Sequence, residues 1–89
     1  MERGSCPVDV ISFSSADGCL RPLRLRIPQE DQSLLRVDID EIVETSLVER
    51  VGMEAAIFLC RATIGQKCCI FKLKYTMRSH TWYLIRAIY

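Results

Sequence analysis

The sequence predicts a mainly β protein that folds as a small antiparallel barrel or roll of about six strands. Three observations indicate this fold class. Residues 55–89 have the pattern of three consecutive strands that fold back on one another, and residues 20–27 alternate apolar with basic side chains. Asp17-Gly18 lies between two strand-like stretches and is a strong hairpin signal. A chain built from such hairpins can close its sheet and so remove exposed strand edges.

The N-terminal third is predicted to form the first hairpin. Residues 1–7 are expected to be a flexible N-terminus, and residues 8–89 a single small domain. Residues 8–14 are rich in β-branched side chains and form the first predicted strand. Residues 20–27 form its partner, which Pro28 ends because proline has no N–H to donate to a ladder.

The middle of the chain is ambiguous between strand and helix. Apolar and charged residues alternate from Leu34 to Asp40, which favours a strand to about residue 44, followed by a short helical turn or an irregular loop as far as Gly52. After Asp40, however, apolar residues recur at helical spacing, at Ile42, Val43, Leu47, Val48 and Val51. The alternative fold is therefore an α+β roll with a short helix within residues 40–51.

Two turns predict the pairing of the C-terminal strands. A two-residue turn at Gly65-Gln66 places Ile64 opposite Lys67, and a turn at Arg78-Ser79, or a four-residue loop over 77–80, closes the next hairpin. The first turn pairs Ala56 with Tyr75, Phe58 with Leu73, Cys60 with Phe71 and Ala62 with Cys69. The second pairs Tyr75 with Trp82, Leu73 with Leu84, Phe71 with Arg86 and Cys69 with Ile88. Both pairings put the same residues of the middle strand on one apolar face, which is expected to be buried.

The opposite face of these three strands mixes basic and apolar side chains. We call it the mixed face, and it comprises Arg61, Lys72, Lys74, Tyr83, Ile57, Leu59, Ile70 and Ile85. A face of this composition predicts that another part of the chain, or a second copy, covers part of it. These eight residues are the predicted binding surface.

Charge is divided unevenly along the chain although the net charge is only +1. Residues 55–89 contain six lysines or arginines and no acid, whereas residues 30–54 contain eight acids against Arg36 and Arg50. One domain therefore contains an acidic segment and a basic segment, which either attract each other within the fold or bind partners of opposite charge.

The sequence contains no arrangement typical of catalysis, metal binding or cofactor binding. The single histidine, His80, lies beside a turn, and none of the five cysteines is spaced as Cys-x-x-Cys. No glycine-rich phosphate loop is present among four scattered glycines. The prediction is therefore a protein that is not an enzyme, with reduced cysteines, no metal and no cofactor.

The expected location is the cytoplasm. The chain has no apolar run near 18 residues, and its first seven residues lack the apolar stretch of a secretory signal. No membrane association and no small-molecule substrate are indicated.

Two functional hypotheses follow from the mixed face. The leading one is a small protein-interaction or accessory module that binds a protein partner or self-associates as a homo-oligomer. The alternative is a small nucleic-acid-binding barrel in which Lys72, Lys74 and Arg61 contact phosphates and Tyr83 stacks on a base. A sequence pI near 7.6 favours the first, because nucleic-acid-binding domains are usually strongly basic.

The last third of the chain resembles the C-terminal hairpins of short, uncharacterised bacterial proteins. The residues that carry the likeness are Phe58-Leu59-Cys60-Arg61, Phe71-Lys72-Leu73-Lys74-Tyr75 and His80-Thr81-Trp82-Tyr83-Leu84. The resemblance implies a small stand-alone domain and assigns no role to any residue.

Overall fold

The structure, a computed structural model, describes the backbone of residues 5–88 and the side chains of residues 5–85. Seven β-strands and no helix occur in this part of the chain. The strands are β1 (Cys6–Pro7), β2 (Asp9–Ser14), β3 (Leu20–Pro28), β4 (Leu34–Val48), β5 (Ala55–Ile64), β6 (Lys67–Thr76) and β7 (Thr81–Ile88). The prediction of a mainly β antiparallel fold is confirmed, with seven strands in place of about six.

The strands form one antiparallel sheet that curls on itself. Their order is β1-β7-β6-β5-β4-β3-β2, so each strand from β2 to β7 lies beside its neighbour in the sequence. Only Val8 separates β1 from β2, and its N–H donates to the carbonyl of Trp82 at 3.1 Å. Because β1 pairs with β7 and β2 pairs with β3, this continuous stretch joins the two ends of the sheet. Cys6–Pro7, within the predicted N-terminal tail, thus occupies a place in the sheet.

The long strand β4 passes from one half of the roll to the other. Its first five residues pair with β3, and the stretch from Ile39 to Val48 pairs with β5. Two β-bulges, between Ile39 and Glu41 and between Ile42 and Glu44, bend the strand between these pairings. The strand predicted from Leu34 is present but continues to Val48, beyond its predicted end near residue 44, and the alternative of a short helix within residues 40–51 is wrong. Each bulge inserts one residue, which interrupts the period-two alternation and places the core-packed Ile39 and Ile42 three residues apart.

The β5–β6 hairpin has the predicted register. Gly65 has φ of 65°, as the first position of a type II′ turn requires, and Ile64 lies opposite Lys67. The four predicted pairs from Ala56/Tyr75 to Ala62/Cys69 are all present.

The β6–β7 hairpin has the predicted register only near its loop. A four-residue turn over residues 77–80 connects the strands, and Tyr75 lies opposite Trp82 as predicted. The predicted Leu73/Leu84 pair is also present, but the pairs Phe71/Arg86 and Cys69/Ile88 are wrong. A bulge displaces the register by one residue between Lys72 and Leu73, so Phe71 is paired with Ala87, Lys72 with Arg86 and Ile70 with Ile88. The side chains of residues 86–88 lie outside the described part.

One hydrophobic core fills the roll. Its buried members are Leu25, Val37, Ala56, Phe58, Cys60, Ala62, Phe71, Leu73 and Trp82. Leu25 of β3 and Val37 of β4 come from the N-terminal half, which therefore covers the predicted apolar face of β5, β6 and β7. Within residues 5–88, each strand contacts mainly the strands beside it in the sheet, and no other element packs over the outer side of β5, β6 and β7. The mixed face therefore lies on the outside of the roll.

Candidate functional site

The strand registers bring the mixed face together on the outer side of β5, β6 and β7. Three rows run across the strands: Ile57, Lys74 and Tyr83; Leu59 and Lys72; Arg61 and Ile70. Ile85 follows the core-packed Leu84 and lies at the bulge of β7, next to the second row. Seven of the eight predicted residues are therefore cross-strand neighbours, and the eighth is adjacent to them.

Strand β4 adds acidic residues to one flank of the mixed face. Glu41 is paired with Arg61 and Glu44 with Leu59 in the β4–β5 register. The carboxylate of Glu41 forms an ion pair with the guanidinium of Arg61. The face therefore has an acidic flank on β4 and a basic flank on β6. Sequence reasoning missed both glutamates, because the two bulges of β4 decide which of its residues reach this side.

The basic flank is made by Lys72 and Lys74. The Nζ of Lys74 lies 5.8 Å from the centroid of the Tyr83 ring, within the range of a cation–π contact. The four apolar members of the face, Ile57, Leu59, Ile70 and Ile85, are partly buried. Long lysine and arginine side chains alternate with them and cover apolar surface with their methylene stems. The result is an amphipathic surface on the outside of the roll.

The other half of the roll has a different charge arrangement. Arg24 of β3 donates from Nε to Oδ1 of Asp38 at 2.6 Å, and Arg36 approaches the same carboxylate at 3.4 Å. These hydrogen bonds, that of Arg24 above all, hold the pKa of Asp38 below its usual range. Asp40 instead accepts a hydrogen bond from the hydroxyl of Thr63 at 3.0 Å. Asp38 and Asp40, alternate carboxylates on one strand, thus have different partners.

A groove opens where β3 and β4 diverge. Their pairing runs from Pro28/Leu34 to Arg24/Asp38 and stops there, so the remaining parts of the two strands separate. The groove between them has a volume of about 1300 Å³. Its lining comes from the β2–β3 hairpin, from β4 between Ile39 and Leu47, from the start of β5, and from the end of β6 with the turn over residues 77–80.

The groove has exposed apolar side chains at its rim, and its lining also includes polar and charged residues, among them Arg21, Asp40 and Glu41. Exposed apolar side chains at the rim are Phe13 (53%), Leu23 (44%), Leu47 (60%) and Met77 (41%). Along this lining, the Tyr75 hydroxyl lies 2.8 Å from Nδ1 of the exposed His80. Sequence reasoning did not find this groove, since its existence depends on the separation of two strands that are paired elsewhere along their length.

Among the described residues, no helix has the length and apolar character needed to cross a membrane. Comparisons of the chain with family models, with curated proteins and with solved structures give no match.

Proposed function

We propose that the protein is a non-enzymatic interaction module that self-associates through its mixed face. The supporting observation is the row Glu44, Leu59, Lys72, in which an acid, an apolar residue and a base occupy neighbouring strands β4, β5 and β6. A surface with this order of charges is complementary to a second copy of itself.

In the proposed dimer the mixed faces of two copies face each other, and a two-fold axis runs parallel to β5, midway between the two sheets. Rotation about this axis exchanges left and right, so β4 of one copy lies over β6 of the other. Lys72 then meets the partner copy's Glu44, and Leu59 meets its counterpart on the axis. Interfaces of this isologous type use one surface patch twice. The row of Glu41, Arg61 and Ile70 adds no net charge, because the carboxylate of Glu41 neutralises the guanidinium of Arg61 within the same copy.

The size of the face sets the expected affinity. The face is four strands wide, with strands about 4.8 Å apart, and about six residues long, with a rise of about 3.3 Å per residue. Its area is therefore roughly 400 Å². Stable protein interfaces bury about 800 Å² on each partner. We therefore expect a weak, reversible dimer that forms at high protein concentration and whose charge pairs weaken as salt is added.

Charge reversal at Lys72 tests this arrangement. Lys72→Glu places an acid opposite the partner copy's Glu44, and we expect light scattering to give a monomer mass at concentrations where the unchanged protein dimerises. Adding Glu44→Lys to the same chain exchanges the two charges and should restore the dimer.

Lys67→Glu is the matched control, because it makes the same charge change at an exposed position beside the β5–β6 turn, away from the mixed face. It should dimerise like the unchanged protein. A monomer mass for the unchanged protein at every concentration, or a dimer of the Lys72→Glu variant, would contradict the proposal.

A second candidate function is binding of single-stranded nucleic acid, and the cluster of Lys72, Lys74 and Tyr83 favours it. Two lysines beside a tyrosine ring match the combination of phosphate contacts and base stacking that such surfaces use. The acidic flank weakens this candidate, since Glu44 repels phosphates and Glu41 already pairs with Arg61, a predicted phosphate ligand. For this reason self-association is the first proposal.

Salt-dependent retention on immobilised single-stranded DNA separates the two functions. If the second is correct, the double variant Lys72→Ala/Lys74→Ala should elute at lower salt than the unchanged protein. Lys67→Ala serves as the control for loss of a charge elsewhere. Absence of retention of the unchanged protein even at low salt would remove the nucleic-acid candidate and leave the first untouched.

A further inference from the structure

The groove exposes an unpaired strand edge. From Ile39 to Val48, β4 pairs with β5 on one side, and its ladder with β3 on the other side has already ended at Arg24/Asp38. The backbone N–H and C=O groups on this second side are therefore available to a partner. Free edges of this kind accept an added strand in many peptide-recognition proteins.

The regular part of this edge is short and well defined. Both bulges of β4 lie before Glu44, and from Glu44 to Val48 the strand pairs with β5 residue by residue. Residues 43–47 are exposed. Thr45 and Leu47 line the groove, while Glu44 and Ser46 have the opposite orientation because side chains alternate along a strand. An added strand of five or six residues fits this segment.

The side chains beside the edge indicate which sequence would bind. On the groove side, an added strand meets the exposed apolar side chains of Leu47, Leu23 and Phe13. On the opposite side Glu44 meets the added strand, and residues 39–49 as a whole contain Asp40, Glu41, Glu44 and Glu49 and no lysine or arginine, so this edge of the sheet is acidic. Apolar residues that alternate with Lys or Arg therefore complement both sides at once.

We propose that the edge of β4 over residues 44–48 binds an extended polypeptide segment of a partner protein, in which apolar residues alternate with Lys or Arg, by strand addition in the groove. A second copy of this chain fits the same edge poorly. Edge-to-edge pairing of two β4 strands would place the acids of residues 39–49 from both copies along one seam, where like charges repel. The proposed strand-binding edge shares Glu44 with the proposed dimer surface, whereas Thr45 and Leu47, which line the groove, belong to the edge alone.

A fluorescently labelled six-residue peptide of alternating leucine and arginine is the probe. We expect its anisotropy to rise on titration with the protein, at concentrations where the protein is monomeric. A peptide of the same composition with the leucines and arginines in separate blocks should bind at least fivefold more weakly, because it keeps the charge and loses the alternation.

Backbone methylation tests the hydrogen-bonded ladder directly. Successive N–H groups of a strand point to opposite edges, so N-methylation of the leucines blocks one edge of the peptide and N-methylation of the arginines blocks the other. One of these two peptides should lose at least tenfold in affinity and the other should retain most of it. Equal binding by both methylated peptides, or loss from both, would overturn strand addition.

Two matched protein variants locate the site. Leu47→Ala removes an apolar contact in the groove and should weaken peptide binding about fivefold, whereas Leu34→Ala, an equally exposed leucine at the other end of β4, should leave it unchanged. Both side chains are exposed, so neither change unfolds the protein. Equal affinities of the two variants would overturn the assignment of the site to this edge, whatever the outcome of the dimer experiment.

Discussion

Phe58→Ala is expected to remove a large part of the protein's stability. Phe58 is 2% exposed, belongs to the core cluster, and has its ring centroid 5.6 Å from that of Trp82. Truncation leaves a cavity between the two halves of the roll, and such changes cost about 3–5 kcal/mol. Single domains have free energies of unfolding of about 5–15 kcal/mol, so this variant should be marginally folded.

Urea unfolding followed by the fluorescence of Trp82, the single tryptophan, measures the effect. Phe13→Ala is the matched control, because Phe13 is the same residue type and is 53% exposed at the rim of the groove. Its free energy of unfolding should change by no more than about 0.5 kcal/mol. Similar losses for the two variants would show that Phe58 does not lie in the core described here.

Above pH 9 the protein is expected to lose stability through Cys60. This side chain is fully buried, and burial raises the pKa of its thiol from the ordinary 9.0 to about 12. In the unfolded chain the thiol loses its proton near pH 9, whereas in the folded chain it keeps the proton until about pH 12. Over this window the unfolded state binds fewer protons, so the free energy of unfolding falls by about 1.4 kcal/mol per pH unit.

Comparison of variants isolates this contribution from other groups that titrate at high pH. Cys60→Ala should lower stability at neutral pH and show a shallower decline between pH 9 and 11 than the unchanged protein. Cys68→Ala, which removes an exposed thiol two residues from a turn, should keep the original slope. An unchanged slope in Cys60→Ala would mean that the Cys60 thiol ionises in the folded protein as readily as in the unfolded chain.

The C-terminal hairpins were predictable because their signals are local. Gly65 selects a turn with a defined loop length, and alternation with a period of two then determines which residues of β5 and β6 lie opposite each other. The same reasoning identified the residues of the mixed face. It failed beyond Leu84, because nothing in the residue pattern distinguishes a regular strand from one with a bulge at Ile85.

Strand β4 shows why the middle of the chain was harder. Its two bulges interrupt the period-two alternation that identifies a strand, so Ile39 and Ile42 pack on the core three residues apart. The apolar residues that follow Asp40 then fit helical spacing as well as they fit a strand. The bulges are stabilised by packing of Ile39 and Ile42 against the core and by pairing with β5, which are contacts distant in sequence. Local propensity alone could not choose between the two structures.

The amino-acid sequence by itself determined that this protein is built of antiparallel strands, where its two C-terminal hairpins turn, and which side of them is buried, because turn residues and alternation act between near neighbours. Only the tertiary structure decided that Glu41 and Glu44 flank the mixed face and that β3 and β4 part to leave a groove with a free edge. Those features depend on how far β4 bends as it crosses the core, and that bend results from the combined packing of residues from both halves of the chain.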